Sequence, residues 1–439
     1  MKIIDGEGFD AYWKSRAEKS DDEAVESAVK KIIAEVRAGG DAAVRRFASS
    51  FDRSSPAQLE VPMSAVEQAA NDLRADDPEL TAAIELAADH IKRFSAKQRE
   101  QFSDFEYEME PGLVTGQRVI PVDRAAIYVP AGRFPLFSSV LMGLIPAFCA
   151  GVRELVLASP PLEDGLPDRK VLAAAGIAAK IAATNGNAKL RVFAIGGAQA
   201  VAALALGTET VPRVDIIVGP GNKYVATAKR ILFGEVGIDF IAGPSDVLVI
   251  ADEIDLAGAD LVAADMLAQA EHDPDARAGA LVPSKELAAQ IAVAIEHRLA
   301  RLPTAETARA SLDSGGLIVV YRDRDEAMRI ANAIAPEHLE LHVADADRWV
   351  PLLKNHGSLF IGRLSAEALG DYSAGINHTL PTSGSARFTG GLSVRHFLKT
   401  VTTLRCAPGE GFEKARAAAE TLARAEGLEG HALSAAARG

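Results

Sequence analysis

Cysteine is nearly absent from this chain: its 439 residues include only Cys149 and Cys406. Two cannot build a disulfide framework or a cysteine-rich metal centre, and such usage suits a reducing compartment, so a cytoplasmic protein is expected. The N-terminus, MKIIDGEGFDAYWKSRAEKSDDE, is acidic from position 5 and lacks an apolar core followed by a small-residue cleavage site, so no export is expected. Long apolar runs are missing as well. The longest uncharged stretch, residues 134–152, is interrupted by Pro135, Pro146 and several Ser and Gly residues. It reads as a buried turn and helix, not a membrane span. No run of Lys and Arg occurs, and a formal net charge of −13 repels phosphate backbones and anionic lipid. Neither nucleic acid nor a membrane is an expected partner.

What is present is the composition of a folded protein, 48% apolar and 24% charged. The length exceeds what one hydrophobic core accommodates and predicts two main domains with appendages. Residues 1–105 read as mainly helical, with Val25, Val29, Ile32, Ile33 and Val36 at helical spacing before Gly39-Gly40. This region is expected to pack on the second of two α/β units. From position 118 short β-branched runs appear, each followed by a turn and a helix-like stretch: 125–130, 154–159, 191–196 and 214–219. The rhythm recurs at 247–252, 278–283, 317–321 and 358–362, with helices over 258–271 and 284–301. Apolar runs of this kind suit parallel strands covered on both faces. The expected fold is α/β: two doubly wound, incomplete Rossmann-like sheets over 118–242 and 243–385, a helical N-terminal segment, and a helical tail over 386–439.

Open parallel sheets bind ligands beyond the carboxyl ends of their strands, which directs attention to the turns. GGAQA follows 191–196 and GPGNKY follows 214–219, each opening a helix whose free N–H groups could face a phosphate. Tyr224 stands where a dinucleotide fingerprint would place its third glycine, so a tight turn is an equally good reading. In LAQAEHDP, Gln269 and His272 share one helical face, a spacing that suits two ligands to one metal or an ordinary exposed helix end. Asp371 in GDYSAGINHTLPT, with Glu426 and His431 in EGLEGHAL, adds oxygen and nitrogen donors compatible with zinc. In APEHLEL, Glu337 and His338 are adjacent, and such a pair can divide proton transfers or simply sit solvated in a loop.

Taken together, YVPAG (128–132), GGAQA (196–200), GPGNKYVATAKR (219–230), AGPSD (242–246), QAEHDP (269–274), APEHLE (335–340), GDYSAGINHTLPT (370–382) and EGLEGHA (426–432) resemble the histidinol dehydrogenase family in content and order. The resemblance implies a catalytic zinc, one per subunit, held by Gln269, His272, Asp371 and His431, with Glu337 and His338 as acid/base pair. It implies an NAD cleft lined by Tyr128, Gln199 and Asn222. Substrate contacts would come from Ser245, Gln269, His272, Glu337, His338, Asp371, Glu426 and His431. It further implies a homodimer in which the 386–439 tail completes the partner's site, and oxidation of L-histidinol to L-histidine through bound L-histidinaldehyde, a late step of histidine biosynthesis consuming two NAD. Three positions depart from the usual pattern: Asp246 in place of Glu, Ala131 in place of Gly, and His356 where a small residue is common. They leave open a relative that oxidises another small alcohol, such as sulfopropanediol. A non-catalytic NAD- or metabolite-binding module is the alternative of another class.

Overall fold

The chain alternates strands and helices from its first residues. The computed structural model describes residues 1–16, 23–131, 135–183, 188–252 and 256–439. The end of the YVPAG turn, Gly132, and the start of the uncharged stretch, Phe134, lie outside them. β1 (Lys2–Asp5) and α1 (Gly6–Arg16) lead to α2 (Glu23–Phe51), β2 (Glu60–Val61), α3 (Met63–Asp76) and α4 (Pro78–Arg99). Then come β3 (Phe105–Glu110), β4 (Leu113–Pro121), β5 (Arg124–Tyr128), α5 (Ser138–Ala150), β6 (Glu154–Ser159), α6 (Arg169–Ala183) and β7 (Lys189–Ala194). They are followed by α7 (Gly197–Leu206), β8 (Ile216–Val218), α8 (Lys223–Leu232), β9 (Gly237–Ile238) and β10 (Asp246–Ala251). Next are α9 (Leu256–Ala270), β11 (Arg277–Val282), α10 (Lys285–Leu299), α11 (Ala305–Gly315), β12 (Leu317–Val320) and α12 (Arg324–Ile334). β13 (His338–His342), β14 (Ser358–Ile361), α13 (Glu367–Tyr372), β15 (Leu398–Cys406), α14 (Glu410–Ala425) and α15 (Glu429–Ala436) complete the chain.

Two six-stranded sheets result. The first has the order β2-β7-β6-β5-β8-β9, parallel except for the β2–β7 pair. The second, β1-β12-β11-β10-β13-β14, is parallel throughout. All eight strands read from apolar runs are present to within two residues, as are the helices α9 and α10. Residues 138–150 form the buried helix α5, and among the described residues no helix is long and apolar enough to cross a membrane.

Period-two alternation divides each sheet into two covered faces. On the first sheet, Ala125, Ile127, Leu155, Leu157 and Val192 meet α3, α4, α5 and α6. Ala126, Val156, Phe193, Ile195 and Ile217 on its other face meet α2, α7 and α8. The N-terminal helices therefore pack on the first unit, not the second as expected. The stripe Val25, Val29, Ile32, Ile33 and Val36 is the apolar surface that covers that sheet. Only β1, paired with β12, and α1, with Phe9 buried against Leu248 and Val319, join the second unit.

The C-terminal segment is not purely helical either. β15 pairs antiparallel with β4 and builds a separate sheet, β15-β4-β3, on which α14 packs. Its strands are largely exposed, so no apolar alternation announced them.

Candidate active site

β13 carries the densest chemistry and is one of the strands the apolar runs did not predict. Its Leu339 and Leu341 enter the core on the α12 side. Alternation sends His338, Glu340 and His342 to the other face, where α9 packs against β10, and all three are buried. Burying polar groups there costs free energy unless each finds a partner, and the partners define the site.

Glu337 and Asp246 begin neighbouring strands and hold each other. The Glu337 N–H donates to Asp246 Oδ1 at 2.6 Å, and the Asp246 N–H donates to Glu337 Oε2 at 3.2 Å. Burial pushes the Glu337 carboxyl up to about 7, with His338 opposing and Asp246 reinforcing the shift. Burial likewise brings Asp246 to about 6, against the Glu337 N–H. Glu337 thus sits near neutrality, where an acid/base group works best. The His338 ring lies between carboxylates, with Nδ1 4.0 Å from Glu337 Oε2 and Nε2 3.3 Å from Asp371 Oδ1. Burial disfavours its charge, but Glu367, Glu337 and Asp371 together raise it well above the ordinary histidine value. The Glu-His pair is therefore a buried dyad, not a solvated loop.

Asp371 arrives on the short helix α13. Its backbone carbonyl accepts from His378 Nδ1 at 2.9 Å, and His378 Nε2 lies 3.2 Å from Ser139 Oγ on α5. Asn377 donates to the Met142 carbonyl at 2.8 Å. The loop after α13 consequently ties the second unit to the first beside the dyad.

The proposed metal donors gather only in part. Gln269 lies in the last turn of α9, fully buried, and neither its Oε1 nor its Nε2 has a hydrogen-bond partner. A buried amide with both polar atoms free can serve a partner from outside the chain. His272 lies just past the helix end, exposed, and near enough for its charge to bear on Asp371. The unpartnered Gln269 amide, the His272 imidazole and the Asp371 carboxylate are nitrogen and oxygen donors of the kind zinc accepts, so the residues present fit a zinc ion. His431 and Glu426 are exposed on the tail, whose α14 packs on β3 and β4. Among the described residues of one chain, His272, Asp371 and His431 form no three-ligand cluster. Ser245, half-buried, immediately precedes β10 and accepts from the Arg277 N–H. Ser245, Glu337 and His338 stand at the amino ends of β10 and β13, whereas the sequence argument looked beyond carboxyl ends.

In the first unit that argument applies. Tyr128 closes β5, and its hydroxyl accepts from the Gly197 N–H at 3.0 Å. Buried Gln199 donates to Asp52 Oδ2 at 3.4 Å. Asn222 caps α8, its Oδ1 accepting from Tyr224 and Val225 N–H groups at 3.0 and 3.2 Å. The preceding Gly219 has φ of 112°, and a Cβ there would lie 2.2 Å from the Tyr128 carbonyl oxygen, so only glycine fits. Two buried charges clamp that glycine: Asp239 accepts its N–H at 2.8 Å, Lys229 donates to its carbonyl at 3.0 Å, and the two side chains pair with each other. Asp52, Lys229 and Asp239 were not singled out from the sequence. Nothing local marks Asp52, and the Lys229–Asp239 spacing of ten residues has no motif value alone.

Of the departures, Asp246 forms the reciprocal pair with Glu337, Ala131 bridges to Pro135, and His356 is half-buried with Nδ1 unpartnered.

The family model for histidinol dehydrogenase matches residues 15–439. The chain belongs to the histidinol dehydrogenase family. Histidinol dehydrogenase from Pseudomonas aeruginosa is 46% identical over 421 residues, 95% of this chain and 92% of that protein. The one from Thermus thermophilus is 46% identical over 414 residues, 94% of each chain. The crystal structure of histidinol dehydrogenase from Elizabethkingia anophelis matches with a TM-score of 0.86 at 33% identity, covering 96% of this chain and 93% of that one. An acetylating aldehyde dehydrogenase from Geobacillus thermoglucosidasius shares the fold, with a TM-score of 0.52 at 13% identity over 89% of this chain and 99% of that one. The two-sheet architecture is thus the histidinol dehydrogenase fold.

Proposed function

We propose that this protein oxidises L-histidinol to L-histidine in two NAD-linked steps, keeping the aldehyde bound between them. The observation that carries the reading is the buried Glu337–His338 dyad, held by Asp246 and Asp371 in a chain that matches the family along its length. Gln269, His272 and Asp371, with His431 of a second copy, would hold zinc, and Tyr128, Gln199 and Asn222 would face NAD. Zinc held there would supply Lewis-acid anchoring of the substrate, and bound NAD would supply the hydride acceptor. His338 removes the hydroxyl proton as hydride leaves the alcohol carbon. Glu337 then takes a proton from the water that adds to the aldehyde carbon while His338 returns its proton to the carbonyl oxygen, and His338 accepts the hydrate's hydroxyl proton as the second hydride leaves to a second NAD. Burial of the dyad keeps bulk water from the reacting groups. Ser245 and Glu426 complete the substrate contacts, and the tail of each chain serves the other's site in a homodimer.

The test is NADH formation from L-histidinol, run beside sulfopropanediol and with a chelator control. Chelator-sensitive turnover yielding two NADH per histidinol is expected. Turnover of sulfopropanediol alone replaces the substrate, and silence on both alcohols favours the binding module.

A further inference from the structure

The polar face of β13 continues past the dyad. Glu340 and His342 follow His338 on the same face, 0% and 3% exposed. Asp265, one turn before Gln269 on α9, faces them. His342 Nε2 lies 3.0 Å from Glu340 Oε2 and 3.9 Å from Asp265 Oδ2, and ligand atoms of all three residues lie within 4.8 Å of one another.

Three atoms of this cluster lack the hydrogen bonds that burial demands. Neither nitrogen of His342 makes a hydrogen bond, nor does Glu340 Oε2, despite their close approach. An imidazole this buried with both nitrogens idle is aimed at something the protein chain does not supply. A tetrahedral zinc ion with bonds of about 2.0–2.2 Å sets its ligand atoms roughly 3.3–3.6 Å apart, within the range these atoms span. One imidazole nitrogen with two carboxylates favours a transition metal of the zinc class over magnesium or calcium.

We propose that Asp265, Glu340 and His342 form a second metal site, taking one divalent ion of the zinc class in a structural role. It is distinct from the Gln269, His272 and Asp371 set. Four residues of α9 separate Asp265 from Gln269, a rise of about 6 Å, more than the roughly 4 Å of a shared two-metal centre. Its role follows from the other oxygen of Glu340: Oε1 accepts from the Glu367 N–H at 2.9 Å, the first residue of α13. An ion that fixes Glu340 fixes the helix that carries Asp371 to His338.

Metal content of the full-length, zinc-loaded protein, measured by mass spectrometry after gel filtration, tests this. Two zinc ions per subunit are expected in the unaltered chain and one in His342→Gln. A Gln269→Ala/His272→Ala double variant should also hold one, and chelating that ion should lower its thermal midpoint. Asp265→Asn serves as a second variant should His342→Gln fail to fold by circular dichroism. A Gln269→Ala/His272→Ala protein that holds no zinc, or a folded His342→Gln with the unaltered count, overturns the site. A single ion that survives the double variant and disappears with His342→Gln sustains it, and the proposed active-site metal set fails instead.

Discussion

Asp246 and Glu337 exchange backbone hydrogen bonds through their side chains across the amino ends of adjacent parallel strands, at 2.6 and 3.2 Å. The pair sets the Glu337 carboxyl beside the His338 ring. Replacing Asp246 with Ala leaves the buried Glu337 N–H without an acceptor, a loss of about 1–3 kcal/mol. Urea unfolding should show that destabilisation, and kcat should fall more than KM changes, because Glu337 loses its orientation. An unchanged kcat would remove Asp246 from any positioning role.

Glu337→Gln keeps the size of the side chain but not its proton chemistry. If Glu337 activates the water for the second oxidation only, rapid-mixing experiments should show a burst of one NADH per site. Steady-state turnover should then be slowed about 100-fold or more. His338→Gln should abolish the burst as well. Equal loss of both phases in Glu337→Gln would assign Glu337 to the first oxidation too.

Asp52 offers a pH test away from the proposed metal ligands. Burial raises its carboxyl from the ordinary value of 3.8 to about 6, against hydrogen bonds from Gly196 and Gln199. The folded state therefore holds its proton more tightly than the unfolded one. That contribution is fully present below about pH 4 and is lost as pH rises through about 6. Asp52→Asn should flatten thermal stability across this window, measured by calorimetry at closely spaced pH values. An identical slope in variant and parent would exclude Asp52 as its source.

Sharing of sites between subunits is testable by complementation. His431→Ala and His338→Gln should each be nearly inactive alone. Mixed by co-refolding, half the dimers pair one of each and contain one intact site, so activity should return to about a quarter of the parent value. No recovery would place His431 in the site of its own chain.

Much of the fold was legible because continuous apolar runs and strands buried on both faces are the same fact. β13 escaped because alternate residues of HLELH are polar. The period of two was there, but it serves a face whose neighbours, Asp265, Gln269 and Asp371, come from α9 and α13. The β15-β4-β3 sheet escaped for the opposite reason: FEYEME and LKTVTTLRC are largely exposed and carry no core pattern. Single members of the site were visible in their motifs. The contact of His338 with Asp371 was not, since a sequence separation of 33 is closed only by β14 and α13. The expectation that ligands lie beyond carboxyl ends directed attention to the Gly219 turn but away from the amino ends of β10 and β13, where Asp246, Glu337 and His338 stand.

The clamp on Gly219 has a kinetic consequence. With its N–H held by Asp239 and its carbonyl by Lys229, the peptide groups flanking this turn cannot flip without breaking a buried ion pair. The entropy of ordering the turn is lost when the chain folds, not when a ligand arrives. A ligand binding there would be governed by diffusion and desolvation rather than by waiting for a loop to reach the right shape.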